Sequence, residues 1–161
     1  MTTSSIQATK APHTSAPSLR YTFTIKADVA PPVLLTDRDS EQLEFIPITG
    51  GYVAGEISGT VSSGGGDWCL TRADAAYQVE ARYGFVTDSG DYVDVLNTGI
   101  LRHLEGESGE ATEMGYFATT PIFRTIAPEL QWITRSMFVG KATVFADNTT
   151  IDFYEVLPSR H

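Results

Sequence analysis

The 161-residue sequence contains one cysteine, three histidines and no long apolar run. Cys69 has no partner for an internal disulfide, and the His and Cys residues lack the spacings of metal ligands. No segment approaches the roughly 20 apolar residues that span a bilayer, and the N-terminus lacks the apolar stretch of a secretory signal. We therefore expect a cytoplasmic protein that needs neither a metal nor a membrane.

Basic residues are also scarce, since 11 Lys and Arg stand against 20 Asp and Glu, for a formal net charge of −9. A negative field of this kind disfavours nucleic acid as a partner. The sequence has no Walker or dinucleotide fingerprint and no Gly-x-Ser-x-Gly elbow. We therefore expect no organic cofactor and no covalent hydrolase chemistry.

The first 19 residues are mostly Ser, Thr, Ala and Pro and contain too few apolar side chains to offset the entropy of ordering. We predict a disordered tail over residues 1–19. The remaining length suffices for one hydrophobic core, so residues 20–161 are predicted to form a single domain.

From Tyr21 onward, apolar residues recur mostly at every second position, which is the period of half-buried strands. Turn signals rich in Gly, Asn and Asp separate these segments, and one short helix is predicted from Pro128 to about Ser136. The pattern indicates an all-β domain. Short antiparallel strands in this number close into a barrel or stack as a sandwich.

Six glycines lie between Gly50 and Gly65, where an ordinary strand would avoid them. Glycines at such a density mark either the bulges and bends of a curved sheet or a close approach of the backbone to a ligand. Both interpretations remain open from the sequence.

Several short motifs together resemble the domain of unknown function 3237 family over nearly all of residues 20–157. They are Ile48-Thr49-Gly50-Gly51, Gly55, Gly59, Gly65-Gly66-Asp67-Trp68, Glu80-Ala81-Arg82-Tyr83, Asn97-Thr98-Gly99, Pro121, Trp132 and Phe138-Val139-Gly140. The resemblance implies a single antiparallel β-barrel, lipocalin-like (calycin) in shape, with a central cavity. The chain departs from the family pattern at Ile133-Thr134 and at Ala75.

The resemblance also implies a type of chemistry, because some fungal relatives act in natural-product pathways as cofactor-free cyclases that close an oxygen ring on a phenolic polyketide. Glu80 and Arg82 lie two apart on one predicted strand and therefore share a face, which is either the cavity wall or the solvated outer surface. The resemblance favours the cavity. There Arg82 would hold an oxyanion while Glu80 moves a proton. Asp67 is a third catalytic candidate, although it could equally cap a turn.

Large flat side chains suited to a planar ligand are the candidates for substrate binding. They are Trp68, Tyr83, Tyr116, Phe123 and Trp132, together with the polar Thr98. Ordinary core packing would explain about half of the aromatic residues. Tyr83 is the weakest of these assignments, because alternation places it opposite Arg82.

Three functions remain open at this stage. The first is a cofactor-independent cyclase or isomerase that acts on a phenolic or polyketide-type molecule in secondary metabolism, closing an oxygen heterocycle by acid–base catalysis. The second is a lipocalin-like carrier of an apolar metabolite. The third is a structural or interaction module, which predicts a filled interior, and a homo-oligomer is possible in each case. Polar groups that converge inside the cavity would favour the enzyme over the carrier.

Overall fold

The computed structural model describes residues 11, 13 and 15–159. Short turns of 3₁₀-helix cover Ala111–Glu113 and Pro128–Leu130, and the second continues as helix α1, Gln131–Thr134. The ten strands are β1 (Ser18–Val29), β2 (Val33–Arg38), β3 (Glu41–Gly55), β4 (Gly59–Val61), β5 (Gly65–Thr71), β6 (Tyr77–Thr87), β7 (Tyr92–Arg102), β8 (Tyr116–Arg124), β9 (Phe138–Val144) and β10 (Asn148–Leu157). No helix in the described part of the chain is long and apolar enough to cross a membrane.

The strands form a closed, eight-stranded antiparallel β-barrel. The circuit runs β1, β10, β9, β8, β7, β6, then β4 and β5, then β3, and the pairing of β3 with β1 closes it. β4 and β5 share one position, because β4 pairs with the end of β3 and β5 with its first half. β2 forms a hairpin with the start of β3 outside the closed circuit. The prediction of an all-β barrel with one short helix is confirmed.

One end of the barrel is filled by aromatic side chains. The rings of Phe23, Phe123 and Phe153 are 5.4 to 5.5 Å apart between centroids, and Phe138 meets Phe123 edge-on. The helical segment covers this end, where its Ile133 is buried in the same cluster. Burying each such side chain contributes about 1.5–3 kcal/mol, so this end carries most of the hydrophobic stabilisation. The other end is hollow.

The glycines of β3 allow β1 to approach closely. Gly51 has a φ of +131°, and a Cβ added there would lie 1.8 Å from the carbonyl oxygen of Lys26 on β1. Only a residue without a side chain permits this contact. The register between the two strands shifts next to this point, between Asp28 and Val29. These glycines therefore serve sheet curvature, and none of them lines the cavity.

Several predicted boundaries differ from the structure. β1 begins at Ser18, because its first residues pair with the end of β10, so the barrel starts before residue 20. Residues 1–10, 12 and 14 of the predicted tail lie outside the described residues. The helix ends at Thr134 rather than near Ser136. The glycine-rich turn after β4 ends at Gly64, because Gly65 already pairs with Ile48 and begins β5.

A cavity with a polar inner end

The hollow end of the barrel encloses a cavity of about 650 Å³. Exposed connecting residues form its rim, among them Pro31 and Pro32 after β1 and Ala146 and Asp147 between β9 and β10. A cavity of this volume is in the range of ordinary small-molecule sites. The interior is not filled by side chains, which counts against the purely structural interpretation of the sequence.

The inward row of β6 shows how the cavity wall changes with depth. Tyr77 lies near the mouth, Val79 and Ala81 follow, and Tyr83 lies deepest, where it also touches the core cluster. Successive side chains alternate between the two faces of a strand, so these residues share the inner face and their sequence neighbours face outward. The wall is therefore aromatic and apolar at the mouth.

The inner part of the cavity is polar. Asp67 of β5 pairs with Ala81, and Ala81 pairs on its other side with Asn97 of β7, so the three residues form one row across the sheet. Thr119 of β8 pairs with Gly99, two residues along β7 from Asn97. Asp67, Ala81, Asn97 and Thr119 line the cavity, whereas Gly99 does not. The polar residues Asp67, Asn97 and Thr119 form, together with Tyr83, a cluster of hydrogen-bonding groups on the neighbouring strands β5 to β8.

Three of these groups have no partner within the described protein. The Tyr83 hydroxyl, the Asn97 Oδ1 and the Thr119 Oγ1 are all buried and make no hydrogen bond. A buried polar atom without a partner costs about 1–3 kcal/mol, so native proteins contain few of them. Three such atoms in one cavity are available to form hydrogen bonds with a molecule that enters it.

The fourth group, the Asp67 carboxylate, has a raised pKa. Its Oδ1 accepts a hydrogen bond from the backbone N–H of Glu80 at 3.0 Å. Burial raises the pKa of Asp67 to about 6, while that hydrogen bond opposes the shift and the charge of Glu80 adds to it. A carboxyl group with a pKa near the working pH exchanges a proton readily in both directions.

The neighbours of Asp67 remain protonated. Burial, with the charges of Asp67 and Glu44, raises the pKa of the Cys69 thiol to about 12. Burial and the Asp67 charge also raise the pKa of Tyr83 well above its usual range. Cys69 is therefore a poor nucleophile, and Tyr83 is a neutral hydrogen-bond donor.

The prediction that Glu80 and Arg82 project into the cavity is wrong. Their side chains pair with each other at 3.2 Å on the outer face and are 51% and 58% exposed. The physical reason is the phase of β6: Tyr77, Val79, Ala81 and Tyr83 take the inner face, so alternation turns the charged residues outward. Tyr83, predicted with least support, is the β6 site residue that lies inside.

The other predicted wall residues are also mostly outside the cavity. Trp68 stacks against Phe45 on the outer face, with ring centroids 4.9 Å apart. Tyr116 is exposed beneath the Arg102 guanidinium, and Thr98 lies on the outer face beside Thr120. Phe123 belongs to the aromatic core, and Trp132 packs against Phe138 at the filled end. The prediction that these five form the substrate wall is wrong, whereas Asp67 and Tyr83 do line the cavity.

The sequence analysis missed Glu44, Asn97 and Thr119. Each is a polar residue in phase with apolar neighbours: Glu44 with Ile46 and Ile48, for example, and Asn97 with Val93 and Val95. A polar residue on an apolar row was therefore the available signal. The described residues contain no group of three or more His, Cys, Asp or Glu that could hold a metal ion.

The fold and the site together define a closed β-barrel with a blind, mostly apolar cavity whose inner end carries hydrogen-bonding and ionisable groups. The chain belongs to the family described as "Protein of unknown function (DUF3237)", whose model matches residues 17–156. A UPF0311 protein of Rhodopseudomonas palustris is 37% identical over an alignment of 146 residues, and the match covers 86% of this chain and 95% of that protein.

Solved structures support the same fold. The crystal structure of a conserved protein of unknown function from Rhodopseudomonas palustris has 36% identity and a TM-score of 0.81, covering 89% of this chain and 100% of that chain. An enzyme from Penicillium herquei superposes with a TM-score of 0.73 at 18% identity, covering 91% of this chain and 98% of that one. At 18% identity, this comparison establishes a similar fold and nothing about activity.

Proposed function

We propose that the protein is a cofactor-independent enzyme of secondary metabolism that closes an oxygen heterocycle on a phenolic or polyketide-type molecule held in the cavity. The observation that carries the proposal is the Asp67 carboxylate beside three unpartnered polar atoms in a mostly apolar cavity. A lipocalin-like carrier would need few such groups, and converging ones are typical of proton transfer.

The proposed reaction is an isomerisation. Asp67 accepts the proton of a substrate hydroxyl while the oxygen adds to one carbon of a carbon–carbon double bond, and the neighbouring carbon receives a proton from the carboxyl group. The O–H bond and the π bond of the carbon–carbon double bond break, one C–O bond and one C–H bond form, and no electrons enter or leave. The Tyr83 hydroxyl donates a hydrogen bond to another substrate oxygen, and the Asn97 Oδ1 accepts one from a substrate hydroxyl. These contacts hold the two reacting groups together.

The fold of this chain is compatible with catalysis, since the Penicillium herquei protein described as an enzyme has a similar barrel. A positioned acid–base group contributes about 100-fold to 10,000-fold, and orientation within a closed site adds to this. These two effects are sufficient for a ring closure that needs no cofactor.

The test is ring closure of a panel of phenols and naphthols that carry an ortho alkenyl chain, followed by chromatography and mass spectrometry for products of unchanged mass. We expect Asp67→Asn to lower turnover by about 100-fold or more, because the amide cannot exchange the proton. Glu80→Gln makes the same chemical change on the outer face of the adjacent strand and should leave turnover close to wild type. Dialysis against a chelator should not change it either.

Wild-type turnover in Asp67→Asn would contradict the proposed role of this carboxylate. Tight binding of the panel without any conversion by the wild-type protein would favour the carrier.

A further inference from the structure

The charge of the cavity wall has one sign only. Glu44, Asp67 and Asp147 line the cavity, and within the part of the chain that the structure describes the lining contains no Lys, Arg or His. The net charge of the chain is −9, but this local composition is more one-sided than the surface, where Arg20, Arg72, Arg82 and Arg124 form ion pairs.

The three carboxylates lie at different depths. Asp147 is at the exposed rim between β9 and β10. Glu44 pairs in register with Cys69, one inward-facing position nearer the mouth than Asp67. A bound molecule therefore meets a carboxylate at its inner end, along its length and at the mouth, whichever way round it enters.

In the described part of the chain, basic side chains act on these charges only from outside the cavity. Lys26, whose ammonium interacts with Asp147, is on the outer face and bound to Asp28 at 3.1 Å. Arg82, which would have reversed the balance had it pointed inward, pairs with Glu80 outside. The polar groups that could compensate inside are the neutral Tyr83, Asn97 and Thr119.

We propose that the cavity selects its substrate by charge: it accepts uncharged molecules and protonated amines, and it rejects carboxylates, phosphates and thioesters of phosphorylated carriers. This inference rests on the proposed use of the cavity as a substrate site. It narrows the substrate to a neutral phenol that carries no free carboxylate. The reaction that supplies this substrate must therefore already have released it from any carrier and removed or masked its acid group.

The size of the effect follows from Coulomb's law. A ligand carboxylate several ångströms from one wall carboxylate, at the effective dielectric constant of a protein site, loses at least about tenfold in affinity relative to a neutral ligand of the same shape. The aliphatic and aromatic wall contributes equally to both ligands, so a matched pair isolates the charge term.

The experiment measures binding of three unreactive probes with one skeleton, 3-(2-naphthyl)propan-1-ol, the corresponding 1-amine and the corresponding propanoic acid, by isothermal titration calorimetry at pH 7.5. We expect the alcohol and the amine to bind the wild-type protein and the acid to bind at least about tenfold more weakly than the alcohol. Glu44→Gln/Asp67→Asn should bring the acid and the alcohol closer together.

A matched control is Asp88→Asn/Glu110→Gln, which removes two exposed carboxylates that do not line the cavity. It should leave the wild-type preference unchanged. Equal binding of acid and alcohol by the wild-type protein, binding of none of the probes, or an equal effect of the control would overturn the inference. The wild-type ratio decides the question even if the cavity variant fails to fold. Because the probes cannot cyclise, this result is independent of whether the protein proves to be a cyclase.

Discussion

The Tyr83 hydroxyl lowers the free energy of unfolding, because it is a buried polar group without a hydrogen-bond partner in the described protein. It is buried at the boundary between the aromatic core and the cavity, and it makes no hydrogen bond. The ring itself packs well, with the side chain only 6% exposed. A residue whose ring stabilises the barrel while its hydroxyl costs free energy is explained most simply by a role in binding.

Replacing Tyr83 by Phe separates these two contributions. We expect Tyr83→Phe to leave the free energy of unfolding unchanged or to raise it by up to about 1 kcal/mol, because the unpartnered hydroxyl is removed and the ring is kept. Affinity for the naphthyl alcohol should fall. Tyr52→Phe, on the outer face, should change neither quantity. The measurements are urea denaturation and calorimetry, and a loss of stability in Tyr83→Phe would show that the hydroxyl is satisfied in solution.

Asp67 makes stability depend on pH. Burial raises its pKa from 3.8 to about 6 in the folded state, the charge of Glu80 adds to the shift, and the hydrogen bond from the Glu80 backbone N–H opposes it. The folded protein therefore holds this proton more tightly than the unfolded chain, so the contribution is favourable below about pH 4 and is lost as the pH rises to about 6.

Asp67→Asn removes this dependence while its Oδ1 can still accept the N–H of Glu80. We expect the variant and the wild type to be similarly stable near pH 4. Above about pH 6 the variant should be more stable by on the order of 1–3 kcal/mol. Urea denaturation of both proteins between pH 4 and pH 8 tests this, and a variant that is less stable at pH 7.5 would refute the assigned cause.

The site residues also show where sequence reasoning fails. Glu80 and Arg82 are predicted to face the cavity because the family resemblance favours it for this charged pair, although their phase on β6 places them opposite an apolar row. In a barrel with a cavity, the apolar row is the inner face, so functional polar groups interrupt that row, as Asn97 does. The chemistry of the residue type and the phase of the strand gave conflicting signals, and the phase was correct.

At the scale of the elements, β3 is the strand that pairs with the largest number of other strands. It pairs with β1 and β2 along one edge and with β4 and β5 along the other. Alternation along the sequence identified parts of this strand but not its length, because the bends at the glycines interrupt the apolar period. The pairing of β2 depends on long-range register, which period alone does not reveal.

Gly51 and Gly50 offer a test of the curvature argument on adjacent residues. We expect Gly51→Ala to destabilise the barrel by about 2–4 kcal/mol, because the new Cβ would overlap the Lys26 carbonyl and the φ of +131° is strained for alanine. Gly50→Ala meets nothing within 4 Å and has no positive φ, so it should be neutral or slightly stabilising. Equal midpoints in urea for the two variants would contradict the close approach of β1 and β3.

At the scale of the whole molecule, the fold class, the single short helix and the family resemblance could all be predicted from the sequence, because they depend on local periodicity and on motifs. The division of the barrel into a filled end and a hollow end could not. It depends on which inward residues of eight strands meet at the same height, with phenylalanines gathered at one end and smaller or polar side chains such as Ala81 and Asn97 at the other.

The helical segment that covers the filled end also bears on how many molecules can take part in the proposed reaction. A cavity of about 650 Å³ holds a single molecule of drug-like size, and the aromatic core lies at the other end of the barrel. A condensation of two partners would need both to pass the same rim and to stay side by side. The architecture fits the proposed unimolecular rearrangement, in which one substrate molecule enters across the rim and its isomer leaves across the same rim. The departing product then competes with the next substrate molecule for this passage.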